Sequence, residues 1–303
     1  MKRRYFIDKI TSSTIFGLAF PFISFEKIKF NSKKITILHT NDVHSHIDPF
    51  PSNDPINPNG GGVIARAKMI NAFKKENPNT LVLDAGDIFQ GTPYYNFFEG
   101  EIELKLMSKL GYNASTLGNH EFDNGIKKLA KSLKHANFSL LNSNYTLKNT
   151  PLVGKIKNYE IFVLDGIRIG VFGIGIKLEG LVDKKLYSGI EYLDPIEISQ
   201  DITSKLKNEF KCDIIICLSH LGFNRGYNDG VMCDLLLAEK TKDIDLIIGG
   251  HSHTFMKNPV KVKNLIGKEV IINQVGCFGI NLGKIDFYLS EDNIKEKSSS
   301  FKI

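Results

Sequence analysis

Apolar positions along this chain fall in short runs, and most of these runs are separated by stretches of helical periodicity. Lys33–Thr40 (KKITILHT) is rich in β-branched residues and ends at Asn41-Asp42, which predicts a strand and the turn that closes it. Residues 49–62, rich in Pro, Asn and Gly, read as a loop leading into a helix over 63–75. The pattern then predicts a strand over 80–87, a helix over 101–110 stopped by Gly111, and a strand over 114–117. A helix over 126–135 and a strand over 138–142 follow. Strands at 161–164 and 167–173 flank Asp165-Gly166 and read as a hairpin. Beyond it come a helix at 196–210, a strand at 213–218, a helix at 231–240 and strands at 245–248, 269–275 and 281–289. Helices between most strands predict an α/β fold, and the hairpin signals predict sheets that are not purely parallel. No Pro/Gly linker divides residues 35–289, so they read as one domain, with residues 290–303 as a polar, Ser-rich tail.

Composition changes this picture at one end. The chain has 303 residues and a formal net charge of +6, which invites a nucleic-acid or membrane reading. Position removes it. Residues 1–34 hold Lys2, Arg3, Arg4, Lys9, Lys27, Lys29, Lys33 and Lys34 against only Asp8 and Glu26, and the remainder is balanced. No nucleic-acid binding is expected. The basic start followed by an apolar run over 10–25 has the form of an export signal, and Arg3-Arg4-Tyr5-Phe6-Ile7 is similar to a twin-arginine signal. The expected address is the periplasm or cell surface. A cut after Ala19 or near Phe25 fits, as does an uncleaved anchor, the one case that brings membrane contact. Cys212, Cys217, Cys233 and Cys277 form no C-x-x-C pair, and Cys217 in an apolar run reads as an inert buried thiol.

The candidate chemistry sits at strand ends. Asp42 and His44 follow the first strand, Asp87 the second, and Asn119 and His120 the third, with Asp123 three residues on. His220 follows the 213–218 strand, and His251 and His253 the 245–248 strand. Open α/β sheets place their sites at the carboxyl ends of strands. Asp42, His44, Asp87, Asn119, His220, His251 and His253 supply a mixed oxygen and nitrogen set. Shared between two ions with Asp87 bridging, they give each about four protein ligands, a set suited to Mn, Zn, Fe or Co. Two such ions can clamp a phosphate and acidify a water.

The segments LHTNDVHSH (38–46), LDAGDIFQGTPYYNFFEG (83–100), TLGNHEFDNG (116–125), LSHLG (218–222), GGHSH (249–253) and VGCFGINLGKID (275–286) together resemble the calcineurin-like metallophosphoesterase superfamily, and within it the bacterial 5′-nucleotidases. The resemblance implies a four-layer αββα sandwich of two mixed β-sheets. It implies Asp42, His44 and His253 at one metal, Asn119, His220 and His251 at the other, and Asp87 between them, with a metal-bridging hydroxide as nucleophile. His120 would stabilise the transferring phosphoryl group, oriented by Asp123, which could also cap the following helix. His46 is set aside as a pocket-wall group, because the family commonly has glycine where this chain has Ser45. His39 reads as structural, and His135 as a cation at a helix end. Phe89, Tyr94, Tyr95, Phe97 and Phe98 read as core and rim packing, with substrate or partner contact as the second reading.

Full-length 5′-nucleotidases carry a second, C-terminal nucleoside-binding domain, for which no counterpart follows residue 289. The expectation is therefore a phosphomonoesterase acting on nucleotides or other small phosphorylated substrates, with a separate chain as one source of the nucleoside-binding half. The alternatives are a broader phosphoesterase active on sugar phosphates or cyclic nucleotides, and a non-catalytic metal-containing binding subunit, against which the His120/Asp123 pair argues.

Overall fold

Every strand expected from an apolar run forms, and the alternation along each decides which layer it feeds. The computed structural model describes residues 32–290 and 293–303. The export-signal reading lies outside the described residues. Strands β1 (Lys33–Thr40), β2 (Thr80–Asp84), β3 (Ala114–Thr116), β4 (Ser139–Leu141), β5 (Tyr145–Thr146), β6 (Tyr159–Leu164) and β7 (Ile167–Ile174) make up the first half. The second half holds β8 (Glu191–Tyr192), β9 (Ile214–Ser219), β10 (Leu246–Gly249), β11 (Val260–Lys263), β12 (Glu269–Asn273), β13 (Asn281–Ser290) and β14 (Asn293–Lys302). The helices are α1 (Val63–Glu76), α2 (Pro93–Phe98), α3 (Glu101–Leu110), α4 (Gly125–Ser132), α5 (Pro195–Asn208) and α6 (Asp234–Lys240).

One sheet runs β14-β13-β1-β2-β3-β4 and the other β11-β12-β10-β9-β7-β6, with β5 and β8 forming a small separate pair. In the first, β1 to β4 are parallel, β13 runs antiparallel to β1, and β14 runs antiparallel to β13. In the second, β7, β9, β10 and β12 are parallel, with β6 and β11 as antiparallel edges. Both sheets are mixed, as expected.

Three apolar layers fix the stacking. Ile214, Ile216 and Leu218 of β9 meet Ile35, Ile37, Leu81 and Leu83 between the sheets. Their neighbours Ile215 and Cys217 point to the other face, against Leu206 of α5 and Leu237 of α6. On the outer face of the first sheet, Leu38 and Val82 pack with Ile70 of α1 and Leu104 and Met107 of α3. Strands buried on both faces need a helix layer on each side, and the result is the four-layer αββα sandwich. All four cysteines are free and buried.

The polar tail is corrected to a strand. β14 pairs antiparallel with β13 from Ser290↔Asn293 to Asn281↔Lys302. Phe301 packs on Phe73 of α1, with ring centroids 4.9 Å apart. An edge strand is held by ladder hydrogen bonds and needs few apolar side chains, so its composition read as a tail. Among the described residues, no helix is long and apolar enough to cross a membrane.

Candidate metal centre

Parallel strands within each sheet bring the carboxyl ends of β1, β2, β3, β9 and β10 to one edge, and all nine predicted site residues lie there. The turns that present them are strained. Asp42 (φ 50°), His44 (φ 49°), Asp87 (φ 52°), His251 (φ 68°) and His253 (φ 51°) occupy the left-handed region, uncommon for residues other than glycine. Such strain gathers where surrounding contacts hold a functional geometry.

The contacts holding these turns are visible. Asp42 is fully buried. It receives the His251 backbone N–H at 2.9 Å, and its own N–H donates to Gly86 O at 2.9 Å. Asn41 Nδ2 donates to Asp42 Oδ2 and to Gly276 O, both at 2.6 Å. Asp87 Oδ1 accepts the His120 backbone N–H at 2.9 Å. Glu121 is buried and unexpected in this role. Its carboxylate accepts from the backbone N–H groups of Asp87 (3.0 Å), Ile88 (2.7 Å) and Gly118 (2.5 Å), lashing the Asp87 turn to the Asn119-His120 turn. Gln274 does the same for the histidine turn, donating to Gly250 O at 2.9 Å and accepting from Thr254 N at 3.1 Å.

Among the described residues, three groups of ligand-type atoms gather, each with members within 4.8 Å of one another: Asp42 with His44 and His253, His44 with Asp87 and His120, and Asp87 with His220 and His251. Asn119 Oδ1 lies 3.0 Å from His251 Nδ1, beside the third group. Two rings are set by hydrogen bonds on the far nitrogen, as ring-oriented metal ligands are. His220 Nδ1 donates to Ala85 O at 2.7 Å and His44 Nδ1 to Phe89 O at 3.3 Å. Their Nε2 atoms thereby face inward, each offering a lone pair once deprotonated. His44 Nε2 stands 3.0 Å from His253 Nε2. His220 Nε2 is buried, 2.9 Å from Asp87 Oδ2. Converging imidazole and carboxylate lone pairs fit borderline or hard divalent cations.

A proton shared by Asp87 and His220 competes with a cation for this position. Burial alone would lift the Asp87 carboxyl, but the His220 charge outweighs it and holds the carboxyl well below its usual range. By the same contact His220, against its own burial, is pushed up to about 10. Burial, then the His220 charge, drives His251 down to about 4.

His120 is held apart by its partner. Its Nδ1 lies 2.7 Å from Asp123 Oδ2, leaving Nε2 toward the cluster. Burial opposes its charge, yet the Asp123 hydrogen bond and the Asp87 charge raise its pKa. Asp123 does not cap α4, whose N-cap position is Asn124. His46 belongs to none of the three groups and hydrogen-bonds His44 O through Nδ1 at 2.9 Å. Ser45 is itself left-handed (φ 58°), and its hydroxyl donates to Glu103 Oε1 at 2.5 Å. His135 lies 3.4 Å from Glu101 Oε2. The aromatic run divides: Phe89 and Tyr95 are buried and stacked at 5.2 Å, whereas Phe97 is 79% exposed.

The calcineurin-like phosphoesterase profile matches residues 35–255. A snake venom 5′-nucleotidase of Gloydius brevicauda is 35% identical over 289 residues, covering 88% of this chain and 47% of that protein. The trifunctional nucleotide phosphoesterase YfkN of Bacillus subtilis is 29% identical, with 88% of this chain and 19% of its own length covered. The crystal structure of a 5′-nucleotidase precursor from Thermus thermophilus superposes with a TM-score of 0.81 at 30% identity, covering 89% of this chain and 55% of that one. The chain thus spans about half the length of the 5′-nucleotidases it matches. With the profile matched across most of the sandwich and through all of its metal-type side chains, the chain belongs to the calcineurin-like phosphoesterase family.

Proposed function

We propose that this chain is a phosphomonoesterase that uses two divalent metal ions and acts on nucleotides. The observation that carries the reading is the pair of inward-facing Nε2 atoms, on His44 and His220, beside Asp42 and Asp87 and one ring away from the His120–Asp123 pair. In this reading Asp42, His44 and His253 hold one ion, Asn119, His220 and His251 the other, and Asp87 both. Bound divalent ions supply charge neutralisation for the phosphate and a water acidified to act at neutral pH.

The chain's own groups do the rest. Asp123 keeps a proton on His120 Nδ1, so His120 Nε2 is free to hold and release one. Water adds at phosphorus as it gives up a proton to solvent, the P–O ester bond breaks, and the His120 proton passes to the departing alkoxide. The products are an alcohol and inorganic phosphate. The strained turns keep the side chains in place before substrate arrives.

The nucleotide as substrate is supported by the 5′-nucleotidase names of relatives of which this chain spans about half. A nucleoside-binding element on a separate chain and export through a twin-arginine-like signal belong to the same proposal. A broader phosphoesterase is the second reading, favoured by the name of the B. subtilis relative. The test is hydrolysis of AMP, UDP-glucose, 2′,3′-cyclic AMP and a sugar phosphate by the purified chain, before and after chelation and on re-addition of Mn(II), Zn(II) or Co(II). Preferential hydrolysis of AMP, lost on chelation and restored by metal, is expected. Hydrolysis that survives complete chelation overturns the metal reading, and equal rates on all four substrates favour the broader one.

A further inference from the structure

The groups assigned above hold the phosphate end of a substrate, and one aromatic ring stands beside them with no role in that reading. Phe278 lies between β12 and β13 with φ 59°, the left-handed region, where a bulky side chain is an outlier. Its backbone N–H donates to Asp42 O at 2.7 Å, which ties it to the turn carrying Asp42 and His44. Its ring centroid is 5.8 Å from His44, 5.8 Å from His253 and 4.4 Å from His46. Behind it, His46 stacks on Phe50 at 5.3 Å with 20° between the planes.

Core packing does not account for this. Phe122, Phe172 and Phe287 are essentially fully buried, whereas Phe278, His46 and Phe50 all remain part-exposed. A phenylalanine held in a strained turn, partly open to solvent and against two candidate ligand rings, is placed for contact with something that arrives.

We propose that Phe278, backed by His46 and Phe50, is the platform on which the leaving group of the substrate lies, so that this chain selects phosphomonoesters whose leaving group carries a planar ring over those of aliphatic alcohols. The inference rests on the hydrolase reading and adds a specificity residue to it. A nucleobase and an aryl ring share the chemistry that such a face recognises, a flat π-surface.

The test compares kcat/KM for AMP, phenyl phosphate and glycerol 3-phosphate in the full chain loaded with Mn(II). Phe278→Asn removes the ring while suiting a left-handed backbone, and Phe278→Tyr keeps the ring. F278N is expected to lose about tenfold on one or both ring-bearing esters and less than about twofold on glycerol 3-phosphate. Loss on phenyl phosphate alone identifies an aryl ring as the ligand, and loss on AMP alone a nucleobase. F278Y stays at wild-type values. As product inhibitors, adenosine or phenol should weaken about tenfold in F278N while inorganic phosphate is unchanged. Phe50→Leu leaves the strained turn intact and should lose about threefold on the same ring-bearing esters. Equal losses on all three esters, or no loss in F278N and F50L, overturn the platform. A wild-type chain that hydrolyses none of the three overturns the hydrolase reading, and the platform falls with it.

Discussion

Asp87 and Gly118 are in such close register that a Cβ on Gly118 would lie 2.1 Å from Asp87 Oδ1. The glycine therefore provides the space the carboxylate occupies. Gly118→Ala should push Asp87 out of both groups that contain it and lower metal affinity by about tenfold or more. Isothermal titration with Mn(II) reads this directly. Unchanged affinity for both ions would show that Asp87 is not a shared ligand.

His120 is assigned to protonate the departing oxygen, not to hold metal. His120→Ala is expected to lose about 10²- to 10⁴-fold in kcat while retaining two bound ions. Asp123→Asn should fall in the same direction by a smaller factor, because the ring loses its carboxylate partner. Metal content and single-turnover rates on one preparation separate these roles. Loss of an ion in the His120 variant would move it into the ligand set.

Much of this was legible because parallel strands end where sites form. Asp42, Asp87, Asn119, His220 and His251 each follow an apolar run, so position alone singled them out. What escaped was held by backbone chemistry. β14 owes its place to a ladder with β13, which leaves almost no apolar signature. Edge strand β11 alternates Val and Lys over four residues, too short to stand out. Glu121 sits inside the Gly-Asn-His-Glu motif, but apart from that of Gly118 its partner N–H groups lie some thirty residues away, which no side-chain pattern reports. Phe278 lay in a quoted segment, and its placement depends on a backbone angle invisible in sequence.

Glu121 makes that hidden layer testable. Glu121→Gln keeps the shape but turns an amide NH₂ toward backbone N–H groups that need an acceptor. The expected cost is about 2–4 kcal/mol of stability, from unsatisfied buried donors and a lost charge-assisted acceptor. Metal affinity should fall with it, since the Asp87 and Asn119 turns are no longer joined. Urea unfolding followed by metal titration checks both, and a stable variant with intact metal binding would refute the link.

His39 joins the sheets and should make the fold acid-sensitive. It stands opposite Gly283 in the β1–β13 ladder, where a Cβ would lie 2.1 Å from its Nε2. Its Nε2 accepts from Asn273 Nδ2 of the other sheet at 2.9 Å, so the proton sits on Nδ1, which is buried without a partner among the described residues. Burial lowers its pKa from 6.5 to about 3. Above pH 6.5 the ring is neutral folded and unfolded, and its contribution is fully present. Below that, the unfolded chain takes up a proton that the folded chain refuses, so stability falls as pH drops toward 3. By linkage the loss is about 2 kcal/mol at pH 5. Urea midpoints at pH 7 and pH 5 should differ more for the wild type than for His39→Gln, which cannot titrate. Equal differences would mean that other groups carry the acid sensitivity.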